Sequence, residues 1–196
     1  MSFILLPLLG YLAGSLPFSI WITRHAKGVD VRDAGSGHAT TTNTIRQAGF
    51  GWGALVLLLD ITKGFLPTLL AVKFSGEPWV IAATAALAVV GHCWPLFAQF
   101  RGGMGLATFG GGVLALNPLA FLICLATLIV CVLVIRHSAR ASVLAGIIMA
   151  PVLWMFHMRD VVLWMAVLGG LVIALRFLID WNRTYRELWL DREKPK

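Results

Sequence analysis

Ser36 stands between Gly35 and Gly37, and Thr40, Thr41, Thr42, Asn43 and Arg46 follow within ten residues. Glycines let a backbone bend tightly enough to gather its N–H groups. The hydroxyls and the amide add side-chain donors, and the guanidinium adds a permanent positive charge. Clustered amides, hydroxyls and an arginine are what a phosphate oxygen requires. Gly, Ser and Thr also build ordinary turns, and Gly35-Ser36-Gly37 alone does not separate the two readings. The hydroxyl run ending at Asn43 and Arg46 favours an anion loop. Arg46 lies three residues beyond Asn43, so the two share a face if a helix starts there, and a helix start adds its own positive end.

A second segment has related chemistry. Gly91-His92-Cys93-Trp94-Pro95 leads to Phe100-Arg101-Gly102-Gly103-Met104-Gly105, three glycines within four residues beside an arginine. It reads either as a helix–helix connection or as a second anion turn. Irregular backbone at membrane depth is tolerated only where protein or water covers it, which favours two turns folding over a shared cleft. Asp60 and Lys63 lie three apart inside an apolar run. Ionisable residues there are expensive and usually paired, so an Asp–Lys pair is the leading reading and direct substrate contact the lesser one. His92 reads as a buried imidazole before it reads as a cleft partner. His25 and Asp30 form an H-x4-D spacing, which resembles the signature of soluble-domain glycerolipid acyltransferases. Flanked by Arg24 and Lys27, with nothing else of that family in view, it reads as a chance match. The remaining histidines have no metal-ligand spacing, no GxSxG, Walker A or HExxH occurs, and neither metal nor cofactor is expected.

The elements that must position these groups are membrane helices. The 196 residues are 59% hydrophobic and only 13% charged, against about 25% charged for a soluble domain. Mean hydropathy is +0.84. A span needs about 20 apolar residues. The candidates are residues 2–23, 51–72, 79–97, 106–116, 119–135, 141–156 and 161–178, which predicts an all-α, polytopic protein of seven transmembrane helices in a single domain. The fourth, with Gly110–Gly112, suits a central, closely packed position better than a lipid-facing one. Cys93, Cys124 and Cys131 imply no disulfide framework. The N-terminus lacks the basic region of a cleaved signal, so the first helix is expected to stay.

Net charge is +7, but the basic residues flank spans rather than forming a nucleic-acid surface, and no nucleic acid is expected as a partner. With the N-terminus outside, thirteen of the sixteen Lys and Arg fall on inner segments; only Lys73 and Arg159 lie outside, and Lys63 lies within a span. That bias puts the C-terminus and every glycine-rich polar segment on the cytoplasmic face. The stretch from Asp180 to Arg186 reads as an interface belt with lipid-headgroup contacts, from which Asn182 and Arg183 reach toward the cleft.

In this order, the segments resemble the bacterial PlsY family, the membrane acyl-phosphate:glycerol-3-phosphate acyltransferases. The matched pieces are YLAGSLPFS, then KGVDVRDAGSG with TN and R, LLLDITKGFLP, GH..P.F..F.GG.G.AT and a closing R.....NR. The resemblance implies an enzyme of the bacterial cell membrane that passes an acyl group from acyl phosphate to the 1-hydroxyl of glycerol 3-phosphate. The product is lysophosphatidic acid for phospholipid synthesis. Acyl phosphate is already activated, so no metal, cofactor or acyl-enzyme is needed. Implied partners are the two substrates and membrane phospholipids. Ser36 and Arg46 are carried over as catalytic. Gly35, Gly37, Thr42, Asn43, Arg101, Gly102, Gly103 and Asn182 are carried over as phosphate- or substrate-binding.

Departures accompany the likeness. The family's loop reads GSGNxGATN, and here its first Asn is His38 and a Gly is Thr40. Its second loop reads FKGGKGVAT, and here the two lysines are Arg101 and Met104. Near the tail, a His and an Asn that contact glycerol phosphate correspond to Phe177 and Asp180. Methionine supplies no charge, and an ionised Asp180 repels phosphate. Arg101 and Arg176 are the candidates to replace the missing cation. The alternative function is a catalytically impaired member that binds lipid or anion.

Overall fold

The computed structural model describes residues 2–183, all helix, turn and loop. Residues 184–196, including Tyr185, Arg186 and the other basic tail residues expected at the headgroups, lie outside the described residues. Among the described residues, six segments are long and apolar enough to cross a membrane.

The first of these is split. α1 (Ser2–Gly14) and α2 (Phe18–Lys27) are separated at Ser15-Leu16-Pro17. Pro17 has no N–H to give and pushes Leu16 out of helical geometry. Ser15 Oγ donates to the Tyr11 carbonyl at 2.8 Å, and Lys63 Nζ donates to the Leu16 carbonyl at 3.0 Å. The expected single helix over 2–23 is therefore two helices, with an ammonium covering the break. α2 ends at Gly28, φ +71°, and a polar loop then leads to α3 (Thr41–Ala48). Thr40 caps α3 by accepting from the Asn43 N–H, so the helix start on which a shared face of Asn43 and Arg46 depends is present.

α4 (Phe50–Phe74) is the longest helix and carries Asp60 and Lys63. α5 (Pro78–Cys93) stops short of the expected 97 because Trp94-Pro95 ends it. A second loop leads to α6 (Leu106–Leu116), whose eleven residues rise about 16 Å, roughly half of the hydrocarbon thickness. α7 (Pro118–Ile135), α8 (Ser138–Met155) and α9 (Asp160–Leu178) complete the bundle. α7 is the most lipid-like, with mean hydropathy 3.0 and Leu122, Ile129, Val130 and Leu133 exposed. Cys124 and Cys131 on its other face are buried and free.

α1 packs on α5, α4 on α6, α8 on α9, and α5 on α9. Lipid tails are as apolar as leucine, so these contacts depend on close approach rather than on hydrophobic transfer. The α4–α6 seam, like the α1–α5 seam, is such a close approach. A Cβ on Gly64 would overlap the Thr108 carbonyl, and one on Gly111 would overlap the Ile61 carbonyl. The glycine-rich fourth span is thus a central half-helix held against α4, and it fixes the loop that precedes it.

Gly111→Val is expected to cost about 1–3 kcal/mol or more by prising α6 from α4, read as a lower unfolding temperature in detergent. Gly51→Ala, where an added Cβ meets nothing within 4 Å, is expected to leave that temperature unchanged or raised.

Candidate active site

The first loop is braced by its own side chains. Asn43 on α3 is fully buried and donates to the carbonyls of Val31, Ala34 and His38 at 2.7, 3.1 and 3.1 Å, while its Oδ1 accepts from the Ser36 N–H at 3.2 Å. Gln47, one turn on, donates to the Val31 and Ala34 carbonyls. Gly35, at φ +62°, leaves room for the Asn43 amide; a Cβ there would collide with it. Asn43, expected as a substrate donor, here directs its amide into the loop and shapes it.

Asp30 holds the loop's base. Arg32 meets its carboxylate through Nε at 3.0 Å and Nη2 at 2.8 Å, and Arg24 meets it at 2.7 Å. Hydrogen bonding from Arg32 is the main force holding this carboxyl well below the usual range, against the opposing effect of burial. The same pairing raises the Arg32 pKa. His25 is elsewhere, edge-on to Trp52 at 6.0 Å. The H-x4-D spacing therefore builds no dyad.

The two glycine turns meet. The Ala39 N–H donates to the Gly102 carbonyl at 3.3 Å, and Arg32 Nη1 donates to the Ala98 carbonyl at 2.9 Å. The second turn folds back on its own helix, with the Gly103 N–H donating to the His92 carbonyl at 3.0 Å. Gly102 and Gly103 are buried, and a Cβ on Gly103 would strike both the His92 ring and the Ala39 carbonyl.

Arg176, near the end of α9 and buried, bridges both turns. Its Nε donates to the Gly103 carbonyl at 3.0 Å, and its Nη2 lies 3.1 Å from His38 Nδ1. A guanidinium only donates, so Nδ1 accepts and the imidazole carries its proton on Nε2. That Nε2 is 2.6 Å from Asp180 Oδ2 and donates to it. Arg183 approaches the same carboxylate at 3.9 Å. Burial, more than anything else, depresses the His38 pKa; the Asp180 carboxylate opposes that effect and the Arg176 charge adds to it.

Several expected residues are placed differently. Ser36 is buried, and its Oγ accepts from the His38 N–H at 3.4 Å. Thr42 and Arg46 are half-buried on α3, and Arg101 is exposed. Met104 and Phe177 belong to one buried apolar cluster with Cys93 and Phe109, so neither faces a phosphate. Asn182 is exposed and accepts from Arg140 Nη2 at 3.2 Å, which ties it to the start of α8 rather than to the turns. Asp180, expected to repel phosphate, is buried against His38. Of the two candidate replacement cations, Arg176 reaches the turns through its side chain. His38 and Asp180 are missing from the expected site. The available signal was that two departures on distant segments carry complementary chemistry.

Beneath the turns lies a small cavity lined by Ser19, Ala39, Lys63, His92, Gly102 and Gly103, among others. The expected ion pair is formed there, with Lys63 Nζ 2.9 Å from Asp60 Oδ1 and His92 Nδ1 3.6 Å from the same oxygen. The arrangement offers backbone turns, hydroxyls and cations to an oxyanion at the edge of an apolar bundle.

The His38 shift sets the sign of a pH effect. A histidine whose folded pKa lies below its ordinary 6.5 binds its proton more readily when unfolded, so its contribution is complete above 6.5 and is lost as pH falls below it. The unfolding temperature in detergent is expected to drop as pH is lowered through this range, and His38→Gln is expected to flatten that dependence.

The family model described as "Glycerol-3-phosphate acyltransferase" matches residues 4–187. The glycerol-3-phosphate acyltransferase of Rubrobacter xylanophilus is 47% identical over 145 residues, 74% of this chain and 72% of that one. The crystal structure of PlsY (YgiH), an integral membrane glycerol 3-phosphate acyltransferase in its glycerol 3-phosphate form, is 38% identical with a TM-score of 0.82, covering 93% of this chain and 92% of that one. Its lysophosphatidic acid form is 36% identical with a TM-score of 0.79, covering 93% and 91%. Both the family match and the fold extend over nearly the whole chain, which therefore belongs to the integral membrane glycerol-3-phosphate acyltransferase family.

Proposed function

We propose that this protein transfers an acyl group from acyl phosphate to the 1-hydroxyl of glycerol 3-phosphate, releasing lysophosphatidic acid for phospholipid synthesis. The observation that carries this reading is the junction of two glycine turns from distant segments, bonded through Ala39 and Gly102 and spanned by Arg176. Both substrates present phosphate, and the donor also carries an acyl chain. A polar junction at the edge of an apolar bundle suits that amphiphile.

Ser36 and Arg46 are the catalytic residues of this reading. Gly35, Gly37, Gly102 and Gly103 admit phosphate to the backbone, with Thr42 and Arg101 as further donors. Asn43 supports the loop, and Arg176 supplies the cation that position 104 lacks. The chain acts as one domain in the bacterial cell membrane among phospholipids, with the N-terminus outside and the site cytoplasmic. The basic bias of the inner segments supports that orientation. The chemistry is positioning and charge stabilisation on a pre-activated acyl donor.

Purified protein in detergent, given palmitoyl phosphate and glycerol 3-phosphate, is expected to release orthophosphate and lysophosphatidic acid together. Ser36→Ala and Arg46→Ala are each expected to lower kcat about 10²–10³-fold. Palmitoyl phosphate left intact by folded wild-type protein would defeat the reading.

A further inference from the structure

The mechanism above leaves Lys63 with no task beyond pairing, yet its surroundings are unusual for a structural ion pair. An ammonium has three N–H bonds. One is directed to Asp60 Oδ1 at 2.9 Å and one to the Leu16 carbonyl at 3.0 Å. With its side chain only 5% exposed, Lys63 also forms part of the cavity wall under the glycine turns. Two N–H bonds fixed by a carboxylate and a broken-helix carbonyl hold the third in a defined direction. His92, another wall of the cavity, is buried, and its Nδ1 has no hydrogen-bond partner.

The cavity is polar on one side and apolar on the other. Gly102, Gly103 and Ala39 bring the two turns to it, while Leu16 and Pro17 bring the break between α1 and α2. The Phe18 ring, 5.7 Å from Nζ, adds to the apolar side. The cavity is only about 10 Å³, room for a single oxygen atom rather than for a phosphate. An acyl phosphate with its phosphate at the turns and its chain toward the helix break would enter it with the carbonyl oxygen alone, beside the ammonium.

On the acyl transfer read above, we propose that Lys63 is a catalytic residue whose third N–H stabilises the negative charge formed on the acyl carbonyl oxygen. The 1-hydroxyl oxygen of glycerol 3-phosphate bonds to the acyl carbon, and the carbonyl π electrons move to oxygen as an oxyanion. The oxyanion then collapses, the bond from carbon to the phosphate oxygen breaks, and the hydroxyl proton leaves with phosphate as hydrogen phosphate. Asp60 and the Leu16 carbonyl are positioning groups that aim the ammonium. A donor fixed before reaction in a water-poor site is the arrangement that stabilises such an oxyanion most.

The test compares Asp60→Asn with the double variant Asp60→Asn/Lys63→Met, which removes both charges and leaves no buried ion unpaired. Rates are taken per folded protein from the size-exclusion peak, with palmitoyl phosphate as donor. The double variant is expected to fall about 100-fold or more below Asp60→Asn in kcat, with KM for glycerol 3-phosphate changed less than about 3-fold. Equal kcat in the two variants, or a double variant within about 3-fold of wild type, overturns the proposal.

Ser19→Thr adds one methyl to the cavity from α2, about the space it has, leaves Asp60 and Lys63 in place, and serves if the double variant does not fold. It is expected to lose turnover, and wild-type kcat and KM for palmitoyl phosphate in that variant overturn the proposal. Failure of wild-type protein to consume palmitoyl phosphate is a different result, which defeats the acyl-transfer reading itself.

Discussion

Backbone that leaves helical geometry between membrane spans has little water to bond, and each stranded N–H or C=O there costs several kcal/mol. This chain leaves helical geometry three times near one place: at Leu16-Pro17, in the loop after α2, and in the turn after α5. Each departure is answered by a buried polar side chain from elsewhere. Lys63 covers the Leu16 carbonyl, Asn43 gathers the carbonyls of the first loop, and Arg176 takes the Gly103 carbonyl. Convergence of the three segments follows from that requirement, because the groups that satisfy one of them lie on helices packed against the others.

Two pairs of departures from the family pattern are intelligible on this basis. His38 and Asp180 replace two residues on distant segments, and their side chains meet at 2.6 Å. A carboxylate that would repel phosphate in isolation instead accepts from the imidazole N–H with Arg183 3.9 Å away, and the same imidazole accepts from Arg176. Met104 and Phe177 likewise replace polar residues and share one apolar cluster. Exchanging two polar groups together for packed apolar ones avoids the stranded partner that a single exchange leaves behind. With no charge at position 104, a cation, Arg176 on α9, still reaches that turn by its side chain.

Close contact explains why α6 is rich in glycine, and Asn117-Pro118 explains why it is short. It must approach α4 closely enough that a methyl at Gly64 or Gly111 would meet backbone. In doing so it anchors Gly102–Gly105 against the end of α5. Packing in the bundle and geometry at the turns are thus one constraint, since the seam that seats α6 also sets where the second turn points.

Composition and hydropathy by themselves determined that the chain is an α-helical membrane protein, because only a helix satisfies a single apolar segment's backbone in lipid. Residue order within the polar stretches marked both glycine turns and the Asp60–Lys63 pair, which depend on neighbours within a few positions. Tertiary structure alone decided that Asn43 faces inward, that Asn182 is held by Arg140, and that Arg176 rather than Arg101 reaches the turns through its side chain. It alone paired His38 with Asp180, 142 positions apart. Direction and partner depend on which helices pack together, and that packing is set by small-residue seams between distant segments, which local spacing does not encode.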